Sequence, residues 1–588
     1  MGRQGPNVAD KTYRRTLLVK RLISTGTLFA GLFCAGMTVA QTAQDPKAGA
    51  YLAARNAAAA GDFAAAADYF GQALTGDPQN PYLLENTAIA YVALGDFAGA
   101  VPVAQDMRLA GIDSQVSNMV LICDAIARGD WDAVLADFED GRTVSPLFDG
   151  LVMGWAMLGQ GNMTRALDGF DAIIASEGMA AYALFHKALA LASVGDFESA
   201  EAILSDSTQG SANFGPRAAV AHAQVLSQLG RNPDASALLT TIFGDTLDPS
   251  IAALQARLDG NDAIPFDLVT SPRQGVAEVA FMIASLLSTE AREDYTLQYA
   301  RVAQYLAPGN ADAAMLTAGL LQNMGRFDMA AAAFATVPQD DPSFVNAEIG
   351  RIDTLRQSGQ FDVAAEVAQA LARARPNLPF VQSRLGDVLR DTGDNAGAIA
   401  AYGAALDLYP ETDPNRWVVH YTRAIVAHDI GDWDQAESDF RAALAIAPDQ
   451  PQVLNYLGYS LVERGEKLDE ALDMIERAVA DQPDSGAIVD SLGWVYFKLG
   501  RYDDAVAPLE RAAVLEATDP IVNDHLGDAY WAVGREREAR FQWLRAQSFD
   551  PEEDLAARIR AKLAHGLDAV RQDEGLDATR PELTDARP

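Results

Sequence analysis

The feature that most restricts this chain is a repetition of its own pattern at an interval of about 34 residues, the length of a two-helix repeat. Leu492-Gly493 recurs as Leu526-Gly527, Tyr496 as Tyr530, Ala505 as Ala539, Leu509 as Trp543 and Ala512 as Ala546. Such self-similarity marks a supersecondary unit that cannot bury its apolar face alone and must stack on copies of itself. The register continues upstream through Leu457-Gly458, Ala471, Ile475, Ala478 and Pro483, after one inserted residue near Glu466-Lys467. Ala436, Phe440, Ala443 and Pro448 mark the unit before, and Leu385-Gly386, Ala398, Tyr402, Ala405 and Pro410 the next. Ala364 with Pro376, then Ala330, Phe334 and Pro342, then Pro308, carry it to the middle of the chain. In the amino-terminal half the frame survives as Ala66, Phe70, Ala73 and Pro78, then Gly95, Phe97 and Ala100, then Gly129 and Trp131. Gly161, Ala166 and Phe170 follow, then Gly195, Phe197 and Ala200, which makes about fourteen units.

Each unit reads as two helices. Alanine dominates, and it loses no side-chain entropy on becoming helical. Gly500-Arg501-Tyr502-Asp503 ends one helix with a residue that tolerates left-handed geometry and begins another, while Pro448, Pro483 and Pro551 stop second helices for want of an N–H donor. A length of 588 residues exceeds what one core organises, and stacking removes that limit. The chain carries 81 acidic and 45 basic residues, a formal charge of -36, which repels phosphate backbones and argues against nucleic acid as a partner.

These residues resemble the tetratricopeptide repeat family, over nearly all of residues 47 to 553. The resemblance implies an all-α fold, an α-solenoid whose helix pairs coil into a superhelix, in one array or two. Residues 41 to 250 would form a divergent amino-terminal array and 276 to 553 the carboxy-terminal one. The segment 251–275 holds Asp259-Gly260-Asn261-Asp262, Pro265 and Pro272, a cluster of helix breakers. It is either a junction between arrays or one divergent repeat. Leu555, Ile559, Leu563 and Leu567 recur at helical spacing and predict a capping helix over 554–570, followed by a disordered polar tail over 571–588.

The segment from Met1 to Ala40 reads as an address. Lys11, Arg14, Arg15, Lys20 and Arg21 precede the weakly polar stretch Leu22 to Ala40, the order of a secretory signal with cleavage before Gln41. The chain is therefore expected to be exported, periplasmic or envelope-associated; the alternative is an inner-membrane anchor, since about 20 apolar residues can span a bilayer. Bulky Phe33 directly before Cys34 disfavours lipidation. With Cys34 removed, Cys123 remains as a lone thiol, either a small buried hydrophobe or a handle for another chain.

A search for chemistry finds no catalytic constellation. There is no Gly-Lys dipeptide for a phosphate loop, no His-Glu-x-x-His run and no Gly-x-Ser-x-Gly elbow. The histidines His186, His222, His420, His428, His525 and His565 are scattered, and the eight-residue spacing of His420 and His428 suits no tight metal site. No cofactor or metal is expected, and the chain is read as a non-enzyme. The competing reading, a hydrolase or transferase near 240–275, rests on scattered acids and Arg273.

In the resembled family the first helix of each unit lines a concave groove. Carried onto this chain, that nominates Tyr421, His428, Asn455, Tyr459, Asp490, Trp494, Phe497, Asp524, Asp528 and Trp531 as partner-binding residues. An acidic and aromatic groove suits basic or amphipathic protein segments, although the tryptophans could equally wedge between neighbouring units. The lysine and asparagine clamp of some family members is missing. The runs NYLGYSLVERGEKLDEAL, DSLGWVYFKLGRYDDA and DHLGDAYWAVGRE are similar to bacterial envelope repeat proteins, over about the last 120 residues. That similarity implies an adaptor that delivers cell-wall hydrolases to a periplasmic carboxyl-terminal processing protease. A spacer in secretion or polysaccharide machinery is the other scaffold reading.

Overall fold

The computed structural model describes residues 46–176, 178–205, 215–244 and 249–579. The amino-terminal address and residues 580–588 lie outside the described residues. Within them the chain forms 31 helices and no strand. They pair as antiparallel hairpins in chain order, with Pro249–Asp259 standing alone. No helix among the described residues is long and apolar enough to cross a membrane.

Local chemistry explains the pairing. Gly95, at φ 79°, ends helix Pro81–Leu94 in the left-handed region, and Asp96 then caps helix Phe97–Leu109 by accepting from the Gly99 N–H at 2.9 Å. The same glycine-aspartate pair closes and opens helices at Gly129-Asp130, Gly195-Asp196, Gly393-Asp394 and Gly431-Asp432. A side-chain cap of this kind contributes about 1 kcal/mol. The helices of a pair cross where a small residue faces a large one. A Cβ on Gly493 would overlap Leu509, one on Gly527 would overlap Trp543, and one on Gly386 would lie 2.6 Å from Tyr402. The repeating small residue is thus a space requirement imposed by the second helix of its own unit.

From Phe344 to Ala532 the first helices stack side by side and pack chiefly on elements next to them in sequence, as an open solenoid does. The amino-terminal half differs. There the helix pair Pro272–Leu287 and Glu293–Leu306 turns back and lies against the first helices Pro81–Leu94, Gln115–Arg128, Pro146–Gly159 and Ala180–Ser193. A single apolar core therefore runs from Phe63 to Ala347 and includes residues of the returning pair, such as Val276, Ala280, Leu297 and Tyr299. Stacking on sequence neighbours, the rule for a simple repeat array, is therefore not the whole of the packing here. The physical reason is legible in helix Gln115–Arg128, whose residues Val116 to Cys123 are all buried, because a helix apolar on all sides must be covered on all sides.

Specific contacts fix the returning pair. Phe97 stacks on Tyr305 at 4.1 Å, Gly275 lies against the ring of Trp155, and Gln115 Nε2 donates to Tyr295 Oη at 2.8 Å. Two arginines reach the carbonyl ends of helices: Arg301 Nε donates to Ala93 O at 3.0 Å, and Arg273 donates to Leu306 O at 2.9 Å and Ala127 O at 3.5 Å. A cation at a helix carboxy terminus meets both the free carbonyls and the negative end of the dipole. Arg301→Ala is expected to loosen the returning pair by about 1–3 kcal/mol. Hydrogen exchange should then quicken across Glu293–Leu306 while Phe361–Ala374 is unchanged.

The segment 260–271 is held rather than loose. Ser227 Oγ accepts from the Ile264 N–H at 2.9 Å, Asn232 donates to Asp262 O at 2.8 Å, and Gln224 Nε2 donates to Asp267 at 2.6 Å. Arg273, the cation named for a hidden active site there, spends its donors on backbone carbonyls. Cys123 is fully buried in helix Gln115–Arg128, and burial pushes its thiol well above the ordinary range, so it behaves as a small hydrophobe. The polar tail expected from residue 571 starts too early: helix Leu567–Asp573 crosses that boundary, because Leu567 and Val570 find apolar cover and are buried.

Candidate protein-binding groove

The first helices Phe344–Gln357, Pro379–Asp391, Arg416–Asp429 and Pro451–Arg464 form the stretch of inner wall across which no other part of the described chain packs extensively. Ion pairs stitch these helices together. Arg356 Nε donates to Asp391 at 2.6 Å, Arg384 lies 3.2 Å from Asp353 and 3.3 Å from Asp387, and Tyr402 Oη donates to Asp387 at 2.7 Å. Further along, Arg423 grips Asp439 in a two-pronged pair at 2.7 and 2.8 Å, with His420 Nδ1 at 2.7 Å. Burial alone would raise the Asp439 carboxyl, but the hydrogen bonds from His420, Arg423 and Gln435 outweigh it and bring it down to about 2.

Aromatic residues continue the wall. Tyr421 lies 6.2 Å from Tyr456, whose hydroxyl is 3.3 Å from His428 Nδ1, and Trp433 carries the Arg464 guanidinium at 4.8 Å. Tyr421, His428, Asn455 and Tyr459, four of the nominated residues, are partly exposed on this stretch. Along these four helices aromatic side chains are interspersed with paired arginines and aspartates.

The other six nominated residues are buried. Asp490, Trp494, Phe497, Asp524, Asp528 and Trp531 are each 8% exposed or less. Trp494 stacks on His525 at 3.8 Å and on Phe497 at 4.9 Å, and its indole N–H donates to Glu463. The tryptophans therefore wedge between units. Asp524 and Asp528 face Lys562, which is itself fully buried: its ammonium donates to Asp524 at 2.7 Å and to Asp528 at 2.6 and 2.7 Å. Lys562 belongs to the capping helix Glu553–His565, so the chain covers its own acidic patch. This corrects the reading of these aspartates as an open surface. The missed signal was Lys562 itself, standing one full repeat interval after Asp528 and thus at the same register position in the next helix.

His525 shares this interior. Burial by itself lowers the imidazole, but Asp490 Oδ2 at 2.8 Å and the nearby charges of Asp524 and Asp528 more than offset it, and the net shift is upward. A raised histidine adds stability fully present below its unfolded value, about 6.5, and lost as pH rises through the folded value. The carboxy-terminal units are expected to lose stability as pH climbs above about 6.5, and His525→Gln should flatten that slope in melting curves. An unchanged slope would remove His525 as its source.

Among the described residues no group of three or more His, Cys, Asp or Glu side chains could hold a metal ion. Two family models, both described as tetratricopeptide repeat, match residues 57–119, 151–213 and overlapping windows from 315 to 520, together more than half of the chain. A TPR repeat-containing protein of Pseudomonas aeruginosa is 35% identical over 138 residues, 23% of this chain and 23% of that relative. The chain thus matches less than a quarter of the relative's length. The crystal structure of the APC/C hetero-tetramer Cut9-Hcn1 is 15% identical, covering 89% of this chain and 97% of that one, with a TM-score of 0.36. A thermophilic TPR protein of Thermus thermophilus is 26% identical over 32% of this chain and 99% of its own, with a TM-score of 0.27.

Proposed function

The chain belongs to the tetratricopeptide repeat family, and from that premise we propose that it is a non-catalytic scaffold of the bacterial cell envelope, holding partner proteins along its open inner wall. Repeat arrays of this family are protein-interaction scaffolds, and an extended wall of parallel helices is the physical reason: it offers many small contacts to one long partner. The observation that carries the reading is the uncovered wall from Phe344 to Arg464, bounded on one side by the returning pair's core and on the other by the capping helix. Its partly exposed Tyr421, His428 and Tyr459 supply aromatic contact area, and its paired arginines and aspartates select polar segments of either sign.

The basic and then apolar amino terminus supports export, and the carboxy-terminal runs support an adaptor role in which bound proteins, cell-wall hydrolases among them, are presented to an envelope protease. Affinity capture from envelope extracts, followed by mass spectrometry, tests this. Wild-type protein should recover a defined partner, and His428→Ala with Tyr459→Ala should reduce recovery about tenfold with helicity retained. Equal recovery by the variant would remove the wall as the binding surface.

A further inference from the structure

Beyond the capping helix the chain does not continue the stack outward. After Gly566, at φ 86°, residues Leu567–Asp573 form a short helix that turns over the inner wall of the last two units. Gly566 sits against Trp531, where an added Cβ would lie 2.5 Å from the ring. Asp568 Oδ2 accepts the Trp531 indole N–H at 2.8 Å, while its other oxygen accepts from the Thr579 N–H at 2.6 Å and hydroxyl at 2.7 Å. Leu567 and Val570 are buried, and the Arg571 guanidinium lies 5.8 Å from the centre of the Phe497 ring, a full unit away from Trp531. Arg571 Nε also donates to Asp577 O at 2.8 Å, and Arg558 donates to Glu574 at 2.8 Å. Residues 566–579 thus reach the covered rings of Trp531 and Phe497, two nominated positions one unit apart, through a carboxylate and a guanidinium.

We propose that this segment occupies, in cis, a binding site on the inner wall, and that a partner segment of the same chemistry displaces it. The chemistry is given by the occupant: an apolar residue that fills the space of Leu567, an acidic residue directly after it to take the Trp531 N–H, and an arginine three positions on to cover Phe497. The partly buried hydrogen bond to the indole and the cation beside an aromatic ring are each stronger than they would be in open water. A strap with seven helical residues has few contacts of its own, so it opens at lower cost than the units beneath it. This deepens the scaffold reading and rests on it only in that inner walls receive partner proteins.

The probe is a fluorescein-labelled peptide of residues 565–579, titrated by anisotropy against the full chain and against a chain ending at His565. The shortened chain should bind it saturably, the full chain at least tenfold more weakly, and a peptide with Asp568→Asn at least tenfold more weakly than the parent. No binding to a shortened chain that keeps its helicity, or equal binding by the full chain, overturns the proposal. Hydrogen exchange on the unaltered full chain gives a second test that needs no shortened protein. Amides of Leu567–Asp573 should exchange at least tenfold faster than those of Glu553–His565; exchange at the same rate makes the segment a fixed part of the cap and overturns the proposal. Capture through His428 and Tyr459 does not involve this site, so either result leaves the envelope experiment to stand or fall by itself.

Discussion

Lys562→Ala is expected to destabilise the carboxy-terminal units by about 3–5 kcal/mol, because removing one partner of a buried ion cluster leaves uncompensated charge behind. Asp524 and Asp528 are 1% and 0% exposed, and Lys562 makes three short contacts to them, the Trp543 indole N–H donating one more to Asp528 at 2.9 Å. Arg558, at 3.8 Å from Asp524 and 3.6 Å from Asp528, is partly exposed and can take up some of the lost charge, which favours the lower end of that range. Burial already raises the Asp524 carboxyl, with Asp528 adding to it and Lys562 opposing it. Losing Lys562 therefore pushes Asp524 further toward protonation, and the variant should recover stability as pH falls. Denaturant unfolding followed by tryptophan fluorescence reads the effect. The variant Lys562→Met with Asp524→Asn and Asp528→Asn, which removes the charges together, should regain more than half of the loss. A change below about 1 kcal/mol in Lys562→Ala would mean that the aspartates are not held as charged partners.

The second large effect is expected at the seam of the amino-terminal body. Trp155 is fully buried, donates to His186 Nδ1 at 3.2 Å and packs edge-on to Phe170 at 6.0 Å. Trp155→Ala should cost about 3–5 kcal/mol, the usual range for deleting a buried aromatic side chain. The Cα of Gly275 lies so close to that ring that an added Cβ would overlap it. Gly275→Leu is expected to destabilise by about 1–3 kcal/mol or more through overpacking. If the returning pair docks on Trp155 as described, the double variant should be less destabilised than the sum of the two, because the leucine enters the space the indole vacates. Strict additivity would dissociate the two residues.

Much of the repeat was legible because it is written in steric terms. Gly386, Gly458, Gly493 and Gly527 are small because Tyr402, Ile475, Leu509 and Trp543 stand against them, and that complementarity shows in one dimension as pairs at fixed spacing. The glycines that end first helices, Gly95, Gly129, Gly195 and Gly500, recur in the same frame, but the aspartates that cap the following helices were not read from it. What the period could not reveal was contact between residues far apart in the chain. Nothing in the spacing of Tyr305 links it to Phe97, and the only trace of the returning pair is the all-round apolar character of Gln115–Arg128 and Pro146–Gly159. The nominated residues divide by their exposure, which the repeat register does not encode. Tyr421, His428, Asn455 and Tyr459 are partly exposed on the wall, whereas the positions in the last two units are covered by the chain's own carboxy terminus, an event the repeat pattern does not encode.

The returning pair also sets an order of events as the chain is made. Arg301 meets the carbonyl of Ala93 from far along the sequence, so the amino-terminal helices must wait, their inner faces bare, until helix Glu293–Leu306 has been synthesised. The carboxy-terminal units close on partners about one repeat away and face no such delay. Contacts of large sequence separation slow folding and prolong exposure of apolar surface. Any fragment ending before Pro272 would be born with a permanently unsheltered interior, and that half of the molecule is the part most dependent on protection before it is complete.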